Sequence, residues 1–122
     1  MFASEVYRRG IVVPLSKDSL MNIRNDKVTE GDLVEILRLN DDDLFYRIWK
    51  AGVFTELNKI CSSLVDDQEQ EEVHSNLEQL QKFLHRLEAS DHLERDIILF
   101  LSSFRTLVEE AISRKMPLLF LF

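Results

Sequence analysis

Five carboxylates fall within seven residues of this sequence: Asp66, Asp67, Glu69, Glu71 and Glu72, in the run DDQEQEE, with no basic residue among them. A second acidic group, Asp41-Asp42-Asp43, stands just before an apolar stretch. Carboxylates at such density can hold a hard cation, trade protons with a substrate, or grip lysine and arginine on another protein. The spacing discriminates among these. A calcium loop alternates oxygen ligands around a central glycine and closes with a glutamate. DDQEQEE contains no glycine, and NDDDLF turns apolar after its aspartates.

Glu71 and His74 match the Glu-x-x-His spacing of helical di-iron sites, which require a second copy and two further glutamates. No second copy exists, because Lys82 and Ala89 stand three residues before His85 and His92. The three histidines are expected on polar faces. Nucleophilic catalysis fares no better. The sequence lacks Gly-x-Ser-x-Gly, a phosphate loop and His-Glu-x-x-His. Ser62, Ser63, Ser102 and Ser103 fall at ordinary polar positions of helical patterns. Cys61 sits among Leu57, Ile60 and Leu64 and reads as a core filler. The residues point to binding rather than catalysis, with no cofactor and no metal.

Charge names the partner class. Asp and Glu number 22 against 15 Lys and Arg, a formal net charge of −7 in 122 residues. Nucleic acid and anionic membranes attract the opposite sign, so neither is expected as a direct partner. A cationic protein is. The lone cysteine forms no internal disulfide and suits a reducing compartment. The apolar runs Ile97–Leu101 and Leu118–Phe122 are far short of the roughly 20 residues of a membrane span. The run Ile11–Leu15 is cut by Pro14, Lys17 and Asp18 too early for a signal peptide. A cytoplasmic location is expected.

The elements that must carry these carboxylates read as mostly helical. Residues 5–15 look extended, with Pro14 holding Val13 in β geometry. A short helix is expected over 18–25. Thr29 and Asp32 suggest a capping box opening a helix through Leu33, Ile36 and Leu37 to Asn40. Asp41–Asp43 cap the next helix, with Leu44, Phe45, Ile48 and Trp49 on its apolar face and Gly52 as its stop. Val53 to Leu64 form another, and the acidic run follows as a loop. Ser75 and Glu78 read as a capping box before the stripe Leu77, Leu80, Phe83, Leu84, Leu87. The longest helix runs from about Asp91 to Lys115, with Ile98 and Leu99 widening its apolar face, and Pro117 ends it.

The uncharged end Met116–Phe122 is expected to fold back and pair near Ile11, since free in water it would aggregate. The sum is a mainly α fold over 1–122: a single compact helical domain of five or six helices, with one or two short terminal strands at most.

The segment from Asp42 to Asn58 (DDLFYRIWKAGVFTELN), the acidic run after it and the phenylalanine-rich carboxyl end together resemble small acidic bacterial immunity proteins of toxin–immunity systems, including contact-dependent inhibition. The resemblance implies an antidote that binds a cognate basic toxin domain, often a nuclease, and occludes its active site or substrate groove. The candidate contact residues are Asp41, Asp42, Asp43, Asp66, Asp67, Glu69, Glu71 and Glu72, provided the two clusters lie close together. A helical adaptor or chaperone-like protein using the apolar end or a helix groove, and a small metal-dependent enzyme, are the competing readings.

Overall fold

The computed structural model describes residues 2–122. Among them the chain forms α1 (Ala3–Val6), β1 (Gly10–Pro14), α2 (Lys17–Arg24), β2 (Val34–Arg38), α3 (Asp42–Lys50), α4 (Val53–Cys61), β3 (Gln70–Val73), α5 (Leu77–Glu88), α6 (Arg95–Arg114) and β4 (Leu118–Leu121). The strands join in one antiparallel sheet of order β2-β1-β4-β3. This corrects the mainly α expectation: helices take 51% of the chain, but a four-stranded sheet lies at its centre and the fold is mixed α/β.

The sheet is central because its two middle strands are apolar on both faces. Every residue of β1 and of β4 is buried. Ile11, Val13, Leu118 and Phe120 join the main core with α3 to α6, including Phe45, Phe54, Leu80 and Phe104. Val12, Leu119 and Leu121 point the other way, onto Ala3, Tyr7, Ile23 and Val28 from α1, α2 and the loop after it. Alternate residues of a strand face opposite sides, so a strand covered on both reads as an unbroken apolar run. The expected pairing of the carboxyl end with the arm near Ile11 is present, with Ile11 opposite Phe120.

Two prolines end that pairing without leaving orphaned donors. The β1–β4 register stops at Val12–Leu119. Continued by two residues it would set Pro14 opposite Pro117, neither of which has an N–H to give. Gly10 opens β1 where space is shortest: a Cβ there would lie 2.6 Å from the Tyr7 carbonyl oxygen and 2.9 Å from Ile36 Cδ1.

The region 29–40 holds a turn and the strand β2, not a helix. The expected Thr29–Asp32 box forms in part, since the Thr29 N–H donates to Asp32 Oδ2 at 2.8 Å. It closes a turn that Asn22 Nδ2 pins through Asp32 Oδ1 at 2.8 Å. Beyond it the chain extends and pairs with β1, Val34 opposite Pro14 and Arg38 opposite Gly10. The β-branched Val34 and Ile36 favour the sheet once β1 offers a partner.

The four later helices are present, but α4 stops at Cys61 rather than Leu64, and α6 starts at Arg95 rather than Asp91. The Asp41 side chain accepts the Leu44 N–H at 3.1 Å, and Gly52 at φ 82° turns α3 into α4. The Ser75–Glu78 box is not made. Asn76 caps α5 from left-handed geometry, and its Nδ2 donates to the Ile60 carbonyl at 2.8 Å. Leu99, expected to widen the buried face of α6, is exposed.

Candidate functional site

The strand register settles where the acidic residues lie. One row across the sheet reads Arg38, Gly10, Leu121, Gln70. The chain leaves β2 at this end towards Asp41, and enters β3 at this end from Asp66–Glu69. Both acidic clusters therefore occupy one end of the sheet. They are set apart by three strand spacings, about 14 Å, and Arg8 and Arg9 lead into the strand between them.

The carboxylates divide by what already holds them. Asp41 is spent on its helix cap. Asp42 pairs with Arg9, whose guanidinium also lies over the Phe45 ring, 4.7 Å from its centroid. Asp43 takes Arg47 Nε at 2.8 Å, and Arg47 reaches on to Asp96 at 2.5 Å and Glu94 at 3.1 Å. Hydrogen bonding to Asp96 and Asp43 raises the pKa of Arg47 further, and Arg47 in turn holds Asp96 below the usual carboxylate range. The group is a clamp between α3 and the start of α6, not a bare acidic patch.

The run 66–72 is not a loop throughout. Its last residues form β3, an edge strand, with Glu71 opposite Phe120 and Glu72 opposite Leu119. Charge on an edge strand discourages pairing with other chains, and here it guards the all-apolar β4 beside it. Glu71 accepts the Leu64 N–H at 2.8 Å. Glu72 receives Arg24 Nε at 2.6 Å and Nη2 at 3.0 Å, tying β3 to α2. Asp66 accepts the N–H groups of Gln68 (2.9 Å) and Glu69 (2.8 Å), shaping the turn into β3. Among the described residues, the side chains of Asp67 and Glu69 alone in this set are exposed and unpaired.

The extended geometry also dissolves the Glu71–His74 pattern. That spacing converges on a helix, whereas residues three apart in an extended chain face opposite ways. Glu72, not Glu71, meets His74, at 2.8 Å. No three His, Cys, Asp or Glu side chains among the described residues are grouped to hold a metal ion. Cys61 is buried, and burial pushes its thiol up to about 11, far from a reactive thiolate. Ser90 Oγ lies 2.5 Å from His92 Nδ1 on the exposed turn before α6, a local contact two residues apart. The apolar end, offered by the adaptor reading as a contact surface, is buried as β4.

Sequence reasoning did not find the arginines that consume these carboxylates. Arg9 and Arg24 come from segments remote from Asp42 and Glu72, whereas Arg47 stands four residues after Asp43, a helical i,i+4 spacing that was legible in the sequence. Arg8, Arg9, Asn40 and Asp42 also line a small polar cavity of about 300 Å³ at this end of the sheet.

Glu72 gives a measurable pH dependence. Hydrogen bonding from Arg24 lowers its pKa from the ordinary 4.5, with the charges of Arg24 and His74 acting the same way. A folded-state value below the unfolded one stabilises the fold above the unfolded value, and that stability is lost as pH falls through the folded value. Glu72→Gln is expected to lower stability at pH 7 by roughly 0.5–1 kcal/mol, since the pair is partly solvated. The gap between variant and parent should be constant above about pH 6 and shrink steadily as pH falls below the ordinary glutamate value. Urea denaturation across the acid range measures it, and a gap that does not change with pH would assign the loss to packing instead.

Comparison of the chain with protein-family models, with curated proteins and with solved structures finds no match. Among the described residues, no helix is long and apolar enough to cross a membrane.

Proposed function

We propose that this chain acts by binding a cationic protein, as an immunity-type antidote to a basic toxin domain of the nuclease class. The observation that carries the reading is the pair Asp67 and Glu69, exposed and unpaired on a turn that Asp66 braces at one end of a rigid sheet. Most of the other acidic candidates already hold arginines or cap backbone. The contact is therefore centred on residues 66–69 rather than spread over all eight carboxylates.

The mechanism is electrostatic steering followed by occlusion. The net charge of −7 raises the encounter rate with a basic surface. Carboxylates on a braced turn then occupy positions where the toxin would hold phosphate, through charge-assisted bonds to lysine or arginine. Such an antidote works in the cytoplasm, where the lone thiol of Cys61 stays reduced.

The test is stopped-flow association with the cognate toxin domain. Asp67→Lys with Glu69→Lys is expected to slow association about tenfold or more at low salt, and the difference should shrink at high salt. Glu72→Gln, which loosens an internal pair, should leave the on-rate nearly unchanged. Equal on-rates and equal salt dependence for the double reversal and the parent would remove the acidic turn from the mechanism.

A further inference from the structure

The opposite edge of the sheet carries an unfilled pairing site. The Leu15 N–H donates to the Leu33 carbonyl and the Leu39 N–H to the Arg9 carbonyl, each at 2.8 Å. These bonds bracket β2 and fix its odd-numbered residues as the ones whose amides face β1. The antiparallel ladder alternates, so Val34, Ile36 and Arg38 turn their N–H and C=O groups outward. β2 is the last strand on this side, and among the described residues no strand pairs with its outer edge. Beside it runs a groove of about 470 Å³ between the strand and α6. Leu37 and Leu107 supply apolar lining, Ser103 and Thr106 polar lining, and Glu35 and Glu110 acidic lining. Glu110 also holds Arg114, whereas Glu35 is exposed and has no partner among the described residues.

We propose that this edge binds an extended, lysine- or arginine-bearing peptide segment, which adds to the sheet as a fifth strand beside β2. Three alternate residues, Val34, Ile36 and Arg38, offer outward backbone bonds at the repeat of a strand, the requirement for strand addition. Side chains of the guest alternate, so every second one enters the groove. One apolar side chain fits against Leu37 and Leu107, and a cation two residues along meets Glu35. Charge chooses this guest over a second copy of the chain. Pairing β2 with its own copy would bring together two molecules of net charge −7 and give Glu35 no cation. This surface is separate from the turn at 66–69, which adjoins β3 on the other edge, so each can fail without the other.

The probe is the capped seven-residue peptide Thr-Lys-Thr-Val-Thr-Lys-Thr, which puts a valine and a lysine two residues apart on one face in either strand direction, titrated into the full chain and followed by amide NMR. Shifts are expected in residues 34–38 and 103–110, with slowed exchange of the Val34, Ile36 and Arg38 amides. Glu35→Lys and Arg38→Pro are each expected to weaken binding about tenfold. A proline at 38 deletes an outward donor and spares the bonds to β1, and Arg38→Ala controls for the lost side chain. The same peptide with glutamate for lysine, or N-methylated at alternate amides, should not bind. The proposal is overturned by binding that survives Glu35→Lys, by shifts confined to 66–72, by absence of binding at millimolar peptide, or by self-association of the chain through β2.

Discussion

Removal of Leu118–Phe122 is expected to abolish the cooperative fold. These residues form a central strand, hydrogen-bonded to β1 on one side and β3 on the other. Leu118, Leu119, Phe120 and Leu121 are each no more than 3% exposed. Without them β1 and β3 lose their shared partner, and both apolar layers lose their middle. Burial of a Leu or Phe side chain is worth roughly 1.5–3 kcal/mol, so four of them rival the roughly 5–15 kcal/mol total of a domain this size. The truncated chain should lack a cooperative thermal transition and should bind a hydrophobic dye. A truncated chain that still melts cooperatively, within a few degrees of the parent, would mean that the end is a dispensable appendage. The same experiment separates the antidote from the adaptor reading, in which removing the end costs binding but leaves the fold intact.

Phe54→Ala carries the second largest expected effect. Phe54 is fully buried on α4, and its ring meets those of Trp49 (4.9 Å), Phe122 (5.3 Å), Phe100 and Phe120 (each 6.2 Å) and Phe104 (6.4 Å). It thus joins α3, α6 and β4 through one side chain. Truncating a buried Phe removes transfer energy and leaves a cavity, together about 3–5 kcal/mol. For a chain of this length that lowers Tm by about 12–20 °C. Calorimetry measures it, with Phe2→Ala as the reference, since Phe2 is 57% exposed and should shift Tm little. A drop below about 4 °C for Phe54→Ala would show that neighbouring rings collapse into the space.

The acidic run illustrates how a reading of composition and a reading of structure part company. Five carboxylates in sequence suggested one contact surface. In the fold they do separate jobs: Asp66 shapes a turn, Glu71 accepts a backbone amide, Glu72 ties β3 to α2, and Asp67 and Glu69 remain free. Restricting the proposed contact to the free pair makes it testable, because reversing the others would disturb folding and binding together.

What the sequence determined by itself is what neighbours along the chain control. The ends of α3 and α4 follow from Asp41 and Gly52, whose capping geometry involves residues only a few positions away. The stripes of α5 and α6 repeat at helical spacing. The burial of the carboxyl end follows from its lack of any charged side chain. The tertiary structure alone decided β2 and β3, because a strand is stable only against a partner, and β1 and β4 reach them from distant parts of the chain. It also decided which carboxylates are spoken for. The pairs Arg9–Asp42, Arg24–Glu72 and Arg47–Asp96 span 33, 48 and 49 residues. No local pattern encodes such a contact; the register of the sheet and the packing of α3 on α6 bring opposite charges within reach.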